Sequence, residues 1–203
     1  MPFFVAVHHS VRPGCREQRV ESIRRDFAAS PISHPGRKFA RLFEHLNDET
    51  HLLAMEEWQS QPDFERHERS SPHLEALAAS GPPPRVEALE RLQHYRHMPH
   101  RPSALACTAI STPSDHAASV ESFICDDERR EALVAAGLVL RAVYRVVGIS
   151  GRLLVLHGWK SVADLERYLD GPALATASAL AAHGATLDQF TGQVAAEYSW
   201  LET

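Results

Sequence analysis

The chain has 203 residues, 44% of them hydrophobic and 23% charged, with a formal net charge of −5. This length admits one large domain or two units of roughly 100 residues each. Thinly spread Lys and Arg form no basic stripe for nucleic acid or an anionic membrane, and no apolar run approaches the ~18 residues of a membrane span.

Phe3 to Val11 is rich in β-branched and aromatic residues and ends at Arg12-Pro13-Gly14, which predicts a strand and a turn. From Arg16, the helical spacing of Val20, Ile23 and Phe27 predicts an amphipathic helix that stops near Ser30-Pro31. After Gly36, segments 38–46 and 50–58 read as a hairpin through Asn47-Asp48-Glu49, ending at Trp58. Ser60 and Asp63 form the S-x-x-D pattern that caps a helix, and a further helical turn is expected from Pro72, capped by Ser71. Val86 to Tyr95 is the last strand of this half. The polar, Pro-containing stretch 97–103 reads as a linker between units 1–96 and 104–203, the second ending in a strand region from Leu187 to Trp200. Cys15, Cys107 and Cys125 are odd in number and lack CxxC spacing, so no disulfide framework and no structural metal are expected. Phe3-Phe4-Val5 lacks the flanks of a secretion signal, which adds to the expectation of a cytoplasmic protein.

The two halves repeat. Trp58, Ser60, Asp63 and Arg66 recur as Trp159, Ser161, Asp164 and Arg167, each pair 101 residues apart. The register holds upstream, where Gly36 matches Gly137, Phe43 matches Tyr144 and Leu53 matches Leu154. Each half then reads strand, helix, strand, strand, helix, strand, an α+β ferredoxin-like unit with both helices on one face of an antiparallel sheet. The bare face of such a sheet has to be buried, so the expected fold is two tandem βαββαβ units closed into an intramolecular dimeric α+β barrel. An exposed helix face leaves room for further assembly into a homodimer.

Trp58, His67 and the stretch Ser71-Pro72-His73-Leu74, with Pro13-Gly14 and Gly36, resemble the antibiotic biosynthesis monooxygenase superfamily of dimeric α+β barrels. The likeness covers most of the first copy, and Trp159 and Pro172 carry it more weakly through the second. It implies oxygenation of a phenol, anthrone or quinol without an organic cofactor, or heme binding and degradation, or a barrel that holds a hydrophobic ligand without catalysis. Residue by residue, Trp58, His67 and His73 match recurring positions of that family. The first-strand asparagine of several active members is replaced by His8 and His9.

The implied reaction needs a base, donors for a developing anion and apolar walls, and histidine titrates in the right range. The partners expected on this reading are a small aromatic or hydrophobic substrate and O2. His8, His9 and His67 map onto Ala109, Ile110 and Tyr168 of the second copy, and His73 maps onto Ala173 with a one-residue slip, so the first copy is the expected site. The expected catalytic set is His67 or His8 as base, Trp58 shaping the pocket, and His73. Because His8 and His9 alternate faces, only one can point to the helix side, and His8 is favoured for its shared face with Phe4 and Ala6. His157 stands where the first copy has Glu56, giving the second copy a polar position of its own. Arg41 and Arg141 lie on expected strands, either orienting an anion or forming edge salt bridges.

Overall fold

The computed structural model describes residues 2–70, 78–96 and 101–199. The elements are β1 (Phe3–Ser10), α1 (Arg16–Ser33), β2 (Arg37–His45), β3 (His51–Trp58), α2 (Gln61–Ser70) and β4 (Arg85–Arg96). The second half repeats them as β5 (Ala104–Ser111), α3 (Ala117–Ile124), α4 (Asp127–Ala135), β6 (Leu138–Val146), β7 (Arg152–Trp159), α5 (Val162–Leu169), α6 (Pro172–Ala181) and β8 (Thr186–Ser199). Hydrogen-bonded neighbours run β1-β3-β2-β8-β5-β7-β6-β4 as a closed barrel. The fold is therefore α+β, two tandem ferredoxin-like units in one antiparallel barrel. None of the described helices is long and apolar enough to cross a membrane.

Two compact units emerge, each including the end of a strand that starts elsewhere in the chain. Unit 1 runs to Leu89 and resumes at Val194, so it holds the last part of β8; unit 2 spans Glu90–Gln193 and includes the last part of β4. In unit 1, β3 lies between β1 and β2, with Phe3 opposite Trp58 on one side and Arg37 opposite Trp58 on the other. Val20, Ile23 and Phe27 of α1 are buried at helical spacing against Val5, Val7, Leu42, Leu52, Ala54 and Trp58. Unit 2 packs Val120 and Ile124 of α3 and Leu180 of α6 on Ile110, Val143, Leu153 and Val155.

The repeat is visible in the backbone as well as the sequence. A register shift falls between Arg37 and Phe39 in unit 1 and between Leu138 and Leu140 in unit 2, so both second strands carry the same bulge. Ser60 Oγ accepts the Asp63 amide at 3.4 Å and Ser161 Oγ accepts the Asp164 amide at 3.1 Å. Gly36 and Gly137 stand beside those aspartates; a Cβ on Gly36 would come within 2.5 Å of the Asp63 Cβ, which requires glycine there.

Two elements differ from expectation. The helix α1 continues past Pro31 to Ser33, because the His34 amide still reaches the Ser30 carbonyl at 2.9 Å. The corresponding stretch of unit 2 is two helices that break at Cys125-Asp126, where the Cys125 amide closes α3 on Glu121 and an aspartate, a favoured N-cap residue, precedes α4. The expected helical turn at Ser71-Pro72 lies outside the described residues.

Candidate functional site

In unit 1, four elements bring polar side chains to Trp58. Arg37 opens β2 directly across from it, Glu56 precedes it by two residues on the same face of β3, α2 carries His67, and the end of α1 supplies Asp26, Ser30 and His34. Trp58 is 1% exposed and Arg37 fully buried, its guanidinium 4.7 Å from the Trp58 ring centre and 5.3 Å from that of Phe27. His67 leans on Trp58 at 5.1 Å with its ring tilted 31°.

These groups close a ring of hydrogen bonds whose proton positions follow from chemistry. A guanidinium only donates. Arg37 Nη1 donates to Asp26 Oδ2 at 2.7 Å and Ser30 Oγ at 2.6 Å, and Nη2 donates to His67 Nε2 at 3.0 Å. His67 Nε2 therefore accepts, and its proton sits on Nδ1, which faces His34 Nδ1 at 3.3 Å. That makes His34 Nδ1 the acceptor and His34 Nε2 the donor, and Nε2 lies 3.1 Å from Asp26 Oδ1. The circuit returns to Arg37 with donor and acceptor matched at each step. Both nitrogens of His67 are thus engaged inside the protein.

Glu56 stands beside this ring. Its Oε2 accepts the Trp58 indole N–H at 2.8 Å and lies 3.5 Å from Arg37 Nε. Among the described residues nothing hydrogen-bonds its other oxygen, Oε1. Burial pushes the Glu56 carboxyl above the usual carboxylate range, and the Arg37 charge opposes this only in part. Glu68 is raised as well, by burial and then by the Glu56 charge. Tyr198, from the end of β8, packs against the same core, its hydroxyl buried and without a partner among the described residues. Burial raises that hydroxyl's pKa while Arg37 pulls it down.

One ligand atom each from Asp26, His34 and His67 lies within 4.8 Å of the others. Two histidines and a carboxylate are a donor set that can hold a divalent transition metal. Here the Arg37 guanidinium already neutralises Asp26 at 2.7 Å and ties up His67. A bound dication would sit beside that positive charge and replace the contact between the histidines, so the ring satisfies these residues at lower electrostatic cost.

Unit 2 keeps the frame and changes the groups. Tyr168 leans on Trp159 at 4.8 Å and 30°, close to the geometry of His67 on Trp58. Arg37 has become Leu138, His34 is Ala135, and Glu56 is His157. A different arginine, Arg141, enters from β6 and donates through Nε to His157 Nε2 at 3.3 Å; it also bonds Gln93 Oε1 and the Ile124 carbonyl. His157 Nδ1 and Trp159 Nε1 are buried without a partner among the described residues. A buried donor left unmade costs about 1–3 kcal/mol. Burial first, and then the Arg141 charge, holds the His157 pKa down to about 3, and burial pushes Tyr168 up to about 12.

Of the residues singled out from the sequence, Trp58 and His67 come together. His8 does not join them: β1 pairs Phe3 with Trp58 but His8 with Leu53, five residues along, roughly 17 Å away. The expected side of β1 is also reversed. Val5, Val7 and His9 face the helices, with His9 Nδ1 3.2 Å from Arg19 Nη1 of α1, while His8 turns the other way to Glu87 Oε2 at 3.0 Å. The phase of the strand is set by Val5 and Val7, the residues packed under α1. His73 lies outside the described residues. Arg41 is nearly buried and pairs with Glu197.

Sequence reading did not reach Asp26, His34 or Arg37. They share no local motif, being gathered from a helix end and a strand start. A signal did exist in the repeat, because Arg37 and His34 occupy positions where the second copy has Leu138 and Ala135. A charge that replaces an apolar residue within a conserved frame marks a local specialisation.

Residues 2–79 match the profile of the antibiotic biosynthesis monooxygenase family. No curated protein matches the sequence at a significant level. Among solved structures, an anthrone oxidase-like protein shares 14% identity at a TM-score of 0.73, over 99% of this chain and 94% of its own. A candidate monooxygenase of Fusobacterium nucleatum subsp. nucleatum gives 9% and 0.76, over 98% and 94%. The heme-degrading enzyme LmHde of Listeria monocytogenes gives 8% and 0.53, over 94% and 98%. At these identities the structural likeness shows the fold.

Proposed function

We propose that this chain, which carries an antibiotic biosynthesis monooxygenase domain at residues 2–79, is a monooxygenase that works without an organic cofactor on a phenolic, anthrone-like or quinol-like molecule, in unit 1. The observation that carries the reading is Glu56: a buried carboxyl with a raised pKa and one unbonded oxygen, set against Trp58. Glu56 takes the base role that the sequence suggested for His67 or His8, since the His67 nitrogens are both engaged in the ring.

The chemistry needs little more. Glu56 Oε1 removes the substrate O–H proton, and the resulting phenolate passes one electron to O2. The radical pair joins as a C–O bond, and Glu56 returns its proton to give a hydroperoxide. Loss of the adjacent C–H proton with cleavage of the O–O bond leaves a C=O group and water. One oxygen atom enters the product, the other leaves as water, and the substrate supplies all four electrons. Arg37 and the Tyr198 hydroxyl stabilise developing negative charge, while Trp58 and Phe27 exclude water. The ring of Asp26, His34 and His67 holds Arg37 in one orientation.

Oxygen uptake with a simple hydroquinone or anthrone tests the proposal. Uptake above the buffer rate, unchanged by chelator and lost in Glu56→Gln, is the expected result. Added hemin producing a Soret shift that vanishes in His67→Ala, with no uptake on quinols, would replace this reading with the heme-degrading one.

A further inference from the structure

Trp58 and Trp159 end corresponding strands, 101 residues apart, with an aromatic ring tilted against each, His67 at 31° and Tyr168 at 30°. In unit 1 the indole N–H is taken by the Glu56 carboxylate at 2.8 Å. In unit 2 the matching position is His157, and the Trp159 N–H has no acceptor among the described residues although the residue is wholly buried. His157, 6% exposed, adds a second open group. Its Nε2 accepts from Arg141 Nε, so its proton is on Nδ1, and that N–H is the unpartnered atom. Two buried donors therefore remain unmade two residues apart on one face of β7, with a guanidinium behind them.

We propose that unit 2 holds a binding site for a small organic carboxylate, whose oxygens take against Trp159 and His157 the place that the Glu56 carboxylate fills against Trp58 in unit 1. The site is donor-rich on every count. Trp159 and His157 each offer an N–H, and Arg141 brings positive charge. The suppressed basicity of His157 agrees with this, since a neutral imidazole keeps one nitrogen for Arg141 and one N–H for a ligand. Charge-assisted hydrogen bonds to an anion outside bulk water are the strong kind. The site is independent of the oxygenation chemistry assigned to unit 1 and stands or falls separately.

The test is a titration of the full chain with benzoate, followed by the indole N–H signals in proton–nitrogen correlation spectra. The Trp159 signal is expected to move downfield and saturate while the Trp58 signal stays in place. His157→Glu, which installs the carboxylate that unit 1 already has, should move the unliganded Trp159 signal toward that of Trp58 and weaken benzoate binding by about tenfold or more. Trp159→Phe keeps the ring and removes the donor, so it serves if the first variant does not fold; it too should weaken binding, read from the remaining signals of unit 2. A Trp159 signal unmoved at millimolar benzoate would mean that water fills the site, and the proposal fails. It also fails if benzoate shifts Trp58 instead, or binds both variants as tightly as the parent.

Discussion

Trp58 and Trp159 show how one backbone frame can carry two chemistries. The bulge at the start of β2 and β6, the serine-aspartate cap of α2 and α5 and the glycine packed on its aspartate are the same in both units. Around that frame, unit 1 has bound its arginine to two carboxylates, a serine and a histidine, and the Glu56 carboxylate accepts the indole N–H. Unit 2 brings its arginine from a different residue of the same strand pair and leaves an imidazole and an indole N–H open. Backbone devices fix the fold at positions where only a few residue types work. The side chains around the tryptophan are under no such constraint: Glu56 accepts the Trp58 N–H, whereas His157 at the matching position leaves the Trp159 N–H without an acceptor among the described residues.

The contrast can be broken most forcibly at Arg37. Arg37→Met leaves the buried Asp26 and Glu56 carboxylates without their cation and should cost about 3–5 kcal/mol in chemical denaturation. The matching exchange in unit 2, Leu138→Met, should cost less than about 1.5 kcal/mol. Equal losses would mean that the ring contributes nothing particular.

Acid and base should act on the two units in opposite directions. His157 has its pKa depressed, so the stability it contributes is complete above pH 6.5 and is lost as the pH falls toward 3. Glu56 has its pKa raised, so its contribution is complete below about pH 4.5 and is lost as the pH climbs through its folded-state value. His157→Gln should flatten the acid limb of a stability profile, by an amount on the order of a few kcal/mol. Glu56→Gln should flatten the rise side and leave the acid limb alone. A profile in which either variant alters the opposite limb would contradict the assigned shifts. The smallest effect concerns what the units share: Ser60→Ala and Ser161→Ala should each cost about 1 kcal/mol in thermal or denaturant unfolding, and by nearly equal amounts.

Much of the architecture was legible because it repeats. The Trp-x-Ser-x-x-Asp stretch, the hairpin before it and the helical spacing of Val20, Ile23 and Phe27 are local patterns, and each became the expected element. The break at Cys125-Asp126 was not legible, since the helical pattern carries no proline or glycine there. The meeting of Trp58 and His67 was legible, because a strand end and the helix that follows it within one motif bring them together. The ring was not, because Asp26, His34 and Arg37 meet only after α1 packs across the sheet. The choice of His8 over His9 went astray for a related reason: strand alternation gives two faces, and only the packing of Val5 and Val7 under α1 says which one the helices cover.

The division of labour between the units is the claim on which the rest depends, and oxygen uptake by two single variants tests it directly. With a quinol substrate, Glu56→Gln should lower the rate by roughly a hundredfold or more, the scale of a lost proton acceptor, whereas His157→Gln should keep most of the parent rate. Uptake that survives in Glu56→Gln and disappears in His157→Gln would place the chemistry in the other unit and overturn the account.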